Sequence, residues 1–430
     1  MHLPQDLRAS SIISSLTFVL GTALAVFGDD LPTPSSAKLR AMNYVVVSPE
    51  GPKDGGDFGP LTPNTKTSGI QEAFNSAKAN RKDVYIAGGT MPEAFKGGVV
   101  YHIQETIRIP WFQDFRLDGG EYVINYDRDT GDAMVIDSQM SCRFKFGLIV
   151  SPSGGVAVHL KPETKGPDGF AVITTSTFEF NAVVGGGSVF PDGKQHPKGT
   201  GLFLDASVGP ILHNKFYATE IIACETGLLL TCGPNGNRSS VIADNNFEIP
   251  MIHLCDTHMQ IGNADSHVVR NILQANITSE NLAAATGVRI FGKRNLLTLD
   301  VQTIAKDRGV VFEAPAEDNR ITAVGLSAGY TNSATRPTNR IIPMQPLGMS
   351  IETPAVPATA VPVVNRTPYT VDALITAPGA VTAWTLTAAA DATQTVSAPL
   401  AAGQTIHLEP GDSVCFTYTQ APTWRWRVKS

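Results

Sequence analysis

Five copies of one short apolar strand govern what this chain can fold into. They begin at Thr200, Thr226, Thr257, Thr286 and Arg308, and read Thr-Gly-Leu-Phe-Leu, Thr-Gly-Leu-Leu-Leu, Thr-His-Met-Gln-Ile, Thr-Gly-Val-Arg-Ile and Arg-Gly-Val-Val-Phe. A second series alternates with them: an Asn, any residue, then a large apolar one, at Asn214, Asn245, Asn271, Asn295 and Asn319. The strand starts lie 26, 31, 29 and 22 residues apart. A period of that size marks a solenoid, whose repeats bury an apolar face only by stacking on one another. The expectation for residues 200–329 is five rungs of a parallel β-helix, in an all-β chain.

The bulk numbers agree with a turn-rich β protein: 39 Gly and 29 Pro in 430 residues, with 42% hydrophobic residues for a core. A net charge of -6 and a pI near 5.9, with no run of Lys or Arg, exclude nucleic acid and anionic membrane surfaces as partners. Residues 1–28 carry Arg8, an apolar stretch from Ile12 to Phe27 and the small residues Ala23, Ala25 and Gly28. That stretch falls short of the roughly 20 residues of a spanning helix and reads as a cleaved export signal. The mature protein is expected to be secreted, periplasmic or on the cell surface, with no membrane contact after cleavage.

The remaining chain divides into an extended lead-in (29–56), the β-helix with its N-terminal cap (57–340), a Pro-, Ala- and Thr-rich linker (341–364) and a small β-sandwich-like module (365–430). Ile70, Ala73, Phe74 and Ala77 form one helical apolar stripe, with Thr67 or Ser68 as N-cap, so a capping helix precedes the rungs. Residues 191–200 read as an excursion out of the stack, either a wall of a binding face or a surface loop. In the module, the Pro410-Gly411-Asp412 turn separates two strands, and Trp384, Trp424 and Trp426 either stack on sugar rings or fill the core.

The leading segment resembles a known superfamily. Asp57-Phe58-Gly59, Ile70-Gln71-Glu72-Ala73-Phe74, Val84-Tyr85-Ile86-Ala87-Gly88-Gly89, Tyr101-His102-Ile103, Ile107-Arg108-Ile109-Pro110 and Leu117-Asp118-Gly119-Gly120 look like the start of the pectate-lyase-like right-handed parallel β-helices. That superfamily includes polysaccharide lyases, polygalacturonase-like hydrolases, inulin fructotransferases and phage tailspikes. The chain departs where many members carry an acidic run before the helix and this one has Pro60-Leu61-Thr62-Pro63-Asn64-Thr65. The resemblance implies a right-handed coil, a polysaccharide or oligosaccharide partner, and a monomer or homotrimer. The C-terminal module is similar to one attached to phage-tail and environmental β-helix proteins.

Chemistry must come from residues that strand alternation turns outward. With Leu202/Leu204 and their equivalents inside, Phe203, Leu229, Gln260, Arg289 and Val311 form one outward column, and Asp205, Thr231, Gly262, Phe291 and Glu313 the next. Just before the strand, Glu225 stacks on Asp256, with His258, Gln260 and Arg289 expected on the same edge. Glu225, Asp256, Arg289 and His258 are therefore the catalytic candidates, and Asp205, Gln260 and Glu313 the substrate-binding ones. Two carboxylates one rung apart suit a retaining glycosidase or a Ca²⁺ site in lyase chemistry with Arg289. They equally suit turn residues beside a surface ion pair. No other metal or cofactor is expected.

Cys224 and Cys255 each precede a strand-start Thr by two residues, and in register they pair as a disulfide or stack as free thiols. The Asn column reads as scaffold, its Asn residues taking the left-handed backbone of a tight turn and its stacked amides bonding up and down the ladder. Two functions from different classes follow: an exported polysaccharide lyase or glycoside hydrolase, or a non-catalytic glycan-binding fibre protein.

Overall fold

A computed structural model describes residues 35–88, 99–151, 154–186, 197–233, 240–279, 284–302, 305–326, 329–344, 351–389 and 392–429. The export-signal region lies outside the described residues, as does most of 191–200. The chain folds as a parallel β-helix with three faces: a broad sheet of 13 strands, a middle sheet of nine and a narrow sheet of six. One turn of the coil runs Ile211–Leu212 (narrow), Lys215–Ile222 (broad), Thr226–Cys232 (middle) and returns to Ile242–Ala243 one rung higher. The repeats stack as their sequence implies. Thr200 is in register with Thr226, Thr226 with Thr257, Thr257 with Thr286, and Val288 with Val310. The coil extends well beyond five rungs, since the middle sheet already starts at Ile107–Ile109 and ends at Tyr330–Asn332.

The tight corner between the narrow and broad sheets is two residues long, as at His213-Asn214 and Asp244-Asn245. The left-handed residue is the one before Asn: His213, Asp244, Arg270, Arg294 and Asp318 have φ between 56 and 58°. That corrects the left-handed conformation expected of the Asn residues; the amide bonding expected of them is what the column does. Asn245 accepts from the Asn214 N–H and side-chain amide, each at 3.0 Å, and passes its own amide to the Ile211 carbonyl and to Asn271, each at 3.0 Å. Every Asn is buried, and the ladder gains a sixth member, Asn339. Inside the coil, Phe144, Phe178, Phe216 and Phe247 stack at 5.2, 5.1 and 4.7 Å between ring centroids, burying apolar area rung upon rung.

The first rungs are closed by helix α2 (Ile70–Asn80), which buries Ile70, Ala73, Phe74 and Ala77. Its N-cap is Gly69 in the left-handed region; Thr67 accepts the Gln71 N–H instead, and Ser68 donates to the His102 carbonyl. The lead-in is not simply extended: it holds helix α1 (Ser36–Ala41), a buried strand Tyr44–Val47 and a 3₁₀ turn at Gly51–Asp54. The linker also differs from the expectation. Residues 351–360 strap onto the C-terminal module, Trp424 donating to the Pro354 carbonyl and Tyr418 to the Pro357 carbonyl. The module is two antiparallel sheets of four and three strands. Trp424 and Trp426 are core residues at 7% and 4% exposure, and Trp384 is half-buried against the same core.

Candidate functional site

Connections decide which face can hold a ligand. The narrow-to-broad corners are two residues long, whereas the middle sheet is flanked by long ones: residues 185–199 lead into Thr200–Ala206, and 161–172 and 233–241 leave its other edge. At the acidic strand heads the links are short, 223–225 into Thr226 and 254–256 into Thr257, so the outer face of the middle sheet is open there along the coil axis. Its central column runs His159, Phe203, Leu229, Gln260, Arg289 and Val311 in register.

Glu225 and Asp256 sit at the head of adjacent strands, both exposed. Backbone bonds lock them one above the other: Asp256 N–H to the Cys224 carbonyl at 3.2 Å, and Thr257 N–H to the Glu225 carbonyl at 2.8 Å. One rung is about 4.8 Å. Partial burial lifts the Asp256 carboxyl above its ordinary range, and the neighbouring Glu225 charge lifts it further.

The structure does not bring the other catalytic candidates to this pair. His258 is fully buried, because alternation breaks at the head of each strand. Its second residue (Gly201, Gly227, His258, Gly287) and its third are both buried. A Cβ on Gly227 would meet Ile252 Cγ2 at 2.9 Å, inside the coil. The His258 ring nitrogens lie 2.9 Å from the Thr286 and Thr278 carbonyls, and burial holds the imidazole below its ordinary pKa. His258 is a structural plug in the corner where the Cys stack ends. Arg289 is exposed but turned along the sheet, 2.5 Å from Glu313 and 5.3 Å from the Phe291 ring. Gln260 is half-buried and donates to the Gly262 carbonyl at 3.1 Å.

Asp205 takes part in a cluster that the sequence does not reveal. The His159 Nδ1 lies 2.8 Å from Asp132, its Nε2 stops 3.5 Å from Asp205, and its ring stacks on Phe203 at 4.6 Å. Burial pulls the His159 pKa down, but the two carboxylates outweigh it and hold the imidazole above its ordinary range. Burial likewise pushes the Asp132 and Asp205 carboxyls up, yet the nearby His159 imidazole, hydrogen-bonded to Asp132, and backbone donors from Val156 and Ser207 leave both below theirs. One signal could have shown the cluster: a His in a column otherwise filled by Phe203 and Leu229. The outer face of the middle sheet thus carries an Asp-His-Asp cluster at one end, the acidic pair in the middle and the Arg289–Glu313 pair beyond.

Glu225 and Asp256 offer fewer oxygens than the roughly six to eight that Ca²⁺ takes. Among the described residues no three His, Cys, Asp or Glu side chains gather as a metal shell. The pair does not fit a closed cation site. Cys224 and Cys255 are buried free thiols on adjacent rungs, and the neighbouring Cys255 thiol and burial push the Cys224 pKa up. Each also contacts the carbonyl two residues before it, Ile222 at 3.2 Å and His253 at 3.3 Å. They are the counterpart of the Asn ladder at the corner between broad and middle sheets, each following a left-handed residue, Ala223 or Leu254. Among the described residues no helix is long and apolar enough to cross a membrane.

No protein-family model matches the chain, and no curated protein matches it. Among solved structures the chain is similar to the Dettilon tailspike protein gp208, at 10% identity and a TM-score of 0.24, over 77% of this chain and 74% of the tailspike. A likeness at that level assigns nothing, and the β-helix rests on the register of this chain's own strands.

Proposed function

We propose that the chain is an extracytoplasmic carbohydrate-active enzyme of the pectate-lyase-like kind, cleaving a polysaccharide laid along a trough over the outer face of the middle sheet. The Glu225–Asp256 pair carries this reading. Its rung spacing of about 4.8 Å is close to the roughly 5–5.5 Å between the carboxyls of retaining glycosidases. Asp256, the carboxyl raised above its ordinary range, gives its proton to the leaving glycosidic oxygen. Glu225 attacks the anomeric carbon as that bond breaks. Asp256 then takes a proton from the water that hydrolyses the glycosyl ester. Gln260 on the Asp256 rung, and Asp205 and the Arg289–Glu313 pair on flanking rungs, hydrogen-bond the sugar hydroxyls.

The test is Glu225→Gln and Asp256→Asn, each assayed on a polysaccharide panel by reducing ends and by absorbance of unsaturated product. The expected result is loss of reducing-end release by both variants with binding retained. Unsaturated product from the wild type would move the reading to elimination, and full activity in both variants would remove this site. One observation favours a non-catalytic glycan-binding protein instead: His258 is inside, Arg289 is tied to Glu313 and Gln260 to the Gly262 carbonyl, so none of these three is engaged with the pair. Binding without product from any polysaccharide, with or without chelator, would establish that reading.

A further inference from the structure

A cleft of about 730 Å³ opens where the last rungs meet the C-terminal module. Arg294, Arg320, Arg336 and Arg340 line it, and the module closes one side with Ala389 and the Pro410-Gly411 turn. Gly411 has φ 90°, and a Cβ there would fall 2.8 Å from that of Ala389. Only glycine lets this turn come so close.

Among the described residues the charges in the cleft do not balance. Arg336 lies 2.8 Å from Glu317, which Lys293 also holds at 2.9 Å, and Arg340 lies 3.0 Å from Glu409. Arg294 is 3.7 Å from Asp318, beyond hydrogen-bond reach. Arg320 is exposed and has no ion pair among the described residues. These cations outnumber the carboxylates in a chain of net charge -6. Arg320 and Arg340 are register partners on adjacent strands, about 4.8 Å apart, and like charges so placed repel unless an anion joins them. The fold does not require a cation there, since Ile272 and Leu296 hold the same position in the two rungs before.

We infer that this cleft binds an anionic oligosaccharide, with Arg320 and Arg294 gripping its carboxylate or sulfate. Guanidinium matches either group with paired N–H donors. The volume lies within the roughly 300–1,000 Å³ of small-ligand sites. Among the described residues no aromatic ring lines the cleft to stack a nucleobase, whereas Thr338 and the guanidiniums offer polar contacts to sugar hydroxyls. This site is on a different corner of the coil from the trough and does not rest on the trough being catalytic.

The test is calorimetric titration of the full chain, in low and high salt, with a tetragalacturonate (carboxylate), a chondroitin sulfate hexasaccharide (sulfate and carboxylate) and neutral maltohexaose. Binding of an anionic probe is expected to weaken about tenfold or more in Arg320→Gln and in high salt, and less in Arg320→Lys. It is expected to persist in a Glu225→Gln/Asp256→Asn variant, which separates this site from the trough. Binding of tetragalacturonate identifies a carboxylate ligand, and binding of the sulfated probe alone a sulfate one. The inference fails if neither anionic probe binds, if maltohexaose binds as well, or if Arg294→Gln/Arg320→Gln binds like the wild type while its circular dichroism is unchanged.

Discussion

Replacing Asn245 by Ala removes one link from the buried amide ladder and tests what holds the rungs together. One buried backbone group is left without a partner, the Asn214 N–H, which donates to Asn245 Oδ1 at 3.0 Å; the Ile211 carbonyl loses Asn245 Nδ2 at 3.0 Å but keeps its ladder bond to the next rung. The Ala243 carbonyl keeps the His213 N–H at 3.3 Å, and Asn271 keeps the residue-245 N–H at 3.1 Å. For that one stranded group the loss is about 1–3 kcal/mol. That is an appreciable share of the roughly 5–15 kcal/mol by which domains are stable. The next residue supplies the control, because Asn246 is exposed and its substitution by Ala should change stability by less than about 0.5 kcal/mol. Urea unfolding of the full chain, followed by far-ultraviolet circular dichroism, measures both. Equal midpoints for the two variants would refute the view that the ladder, rather than the apolar stack alone, holds this corner.

Three further outcomes follow from the same geometry. The raised Asp256 carboxyl makes its charged form unfavourable in the folded state. Asp256→Asn should therefore raise the neutral-pH Tm slightly and lose that advantage below the ordinary Asp range, where the wild type is also protonated; a lower Tm at neutral pH would show that the charge is stabilising. His159 works in the opposite sense: its raised pKa adds stability below its unfolded value that fades as pH rises through the folded one, while the lowered Asp132 and Asp205 fail as pH falls through theirs. The stability gap between wild type and His159→Gln should peak in mildly acidic solution and narrow on the alkaline side, and a gap independent of pH would remove the charge argument. Finally, Cys142, Cys224, Cys232 and Cys255 are buried and Cys415 is half-exposed. A thiol reagent should label at most Cys415 in the native protein and all five in denaturant, with four or more labelled natively counting against the packing of the Cys corner.

What the sequence made legible is what repeats. The Thr-initiated strands and the Asn series announced their register because each rung needs the same residue at the same corner. Earlier rungs hid themselves by using other residues for that job. Cys142 donates its N–H to the Ser176 hydroxyl, and Ser176 to Asn214, so the ladder continues with no Asn to mark it. His258 was misplaced because strict alternation does not survive the start of the strand, where two successive residues face inward. The Asp132-His159-Asp205 cluster was invisible for a different reason: its members belong to three successive rungs of irregular length, and only stacking brings them together. The left-handed residue at each corner escaped because its identity is free, being His, Asp or Arg.

The C-terminal module has a consequence for the chain in bulk. A coil of parallel strands ends in a row of unpaired amides, a template for another chain. Here the last rung, Arg340–Pro343, is occupied: Ile341 donates its N–H to the Pro368 carbonyl at 2.6 Å, and Arg340 is held by Glu409. The module is a stopper on a ladder that would otherwise copy itself. A chain cut before residue 351 should convert from a dispersed particle into filaments that bind thioflavin T, growing from the end the stopper once sealed.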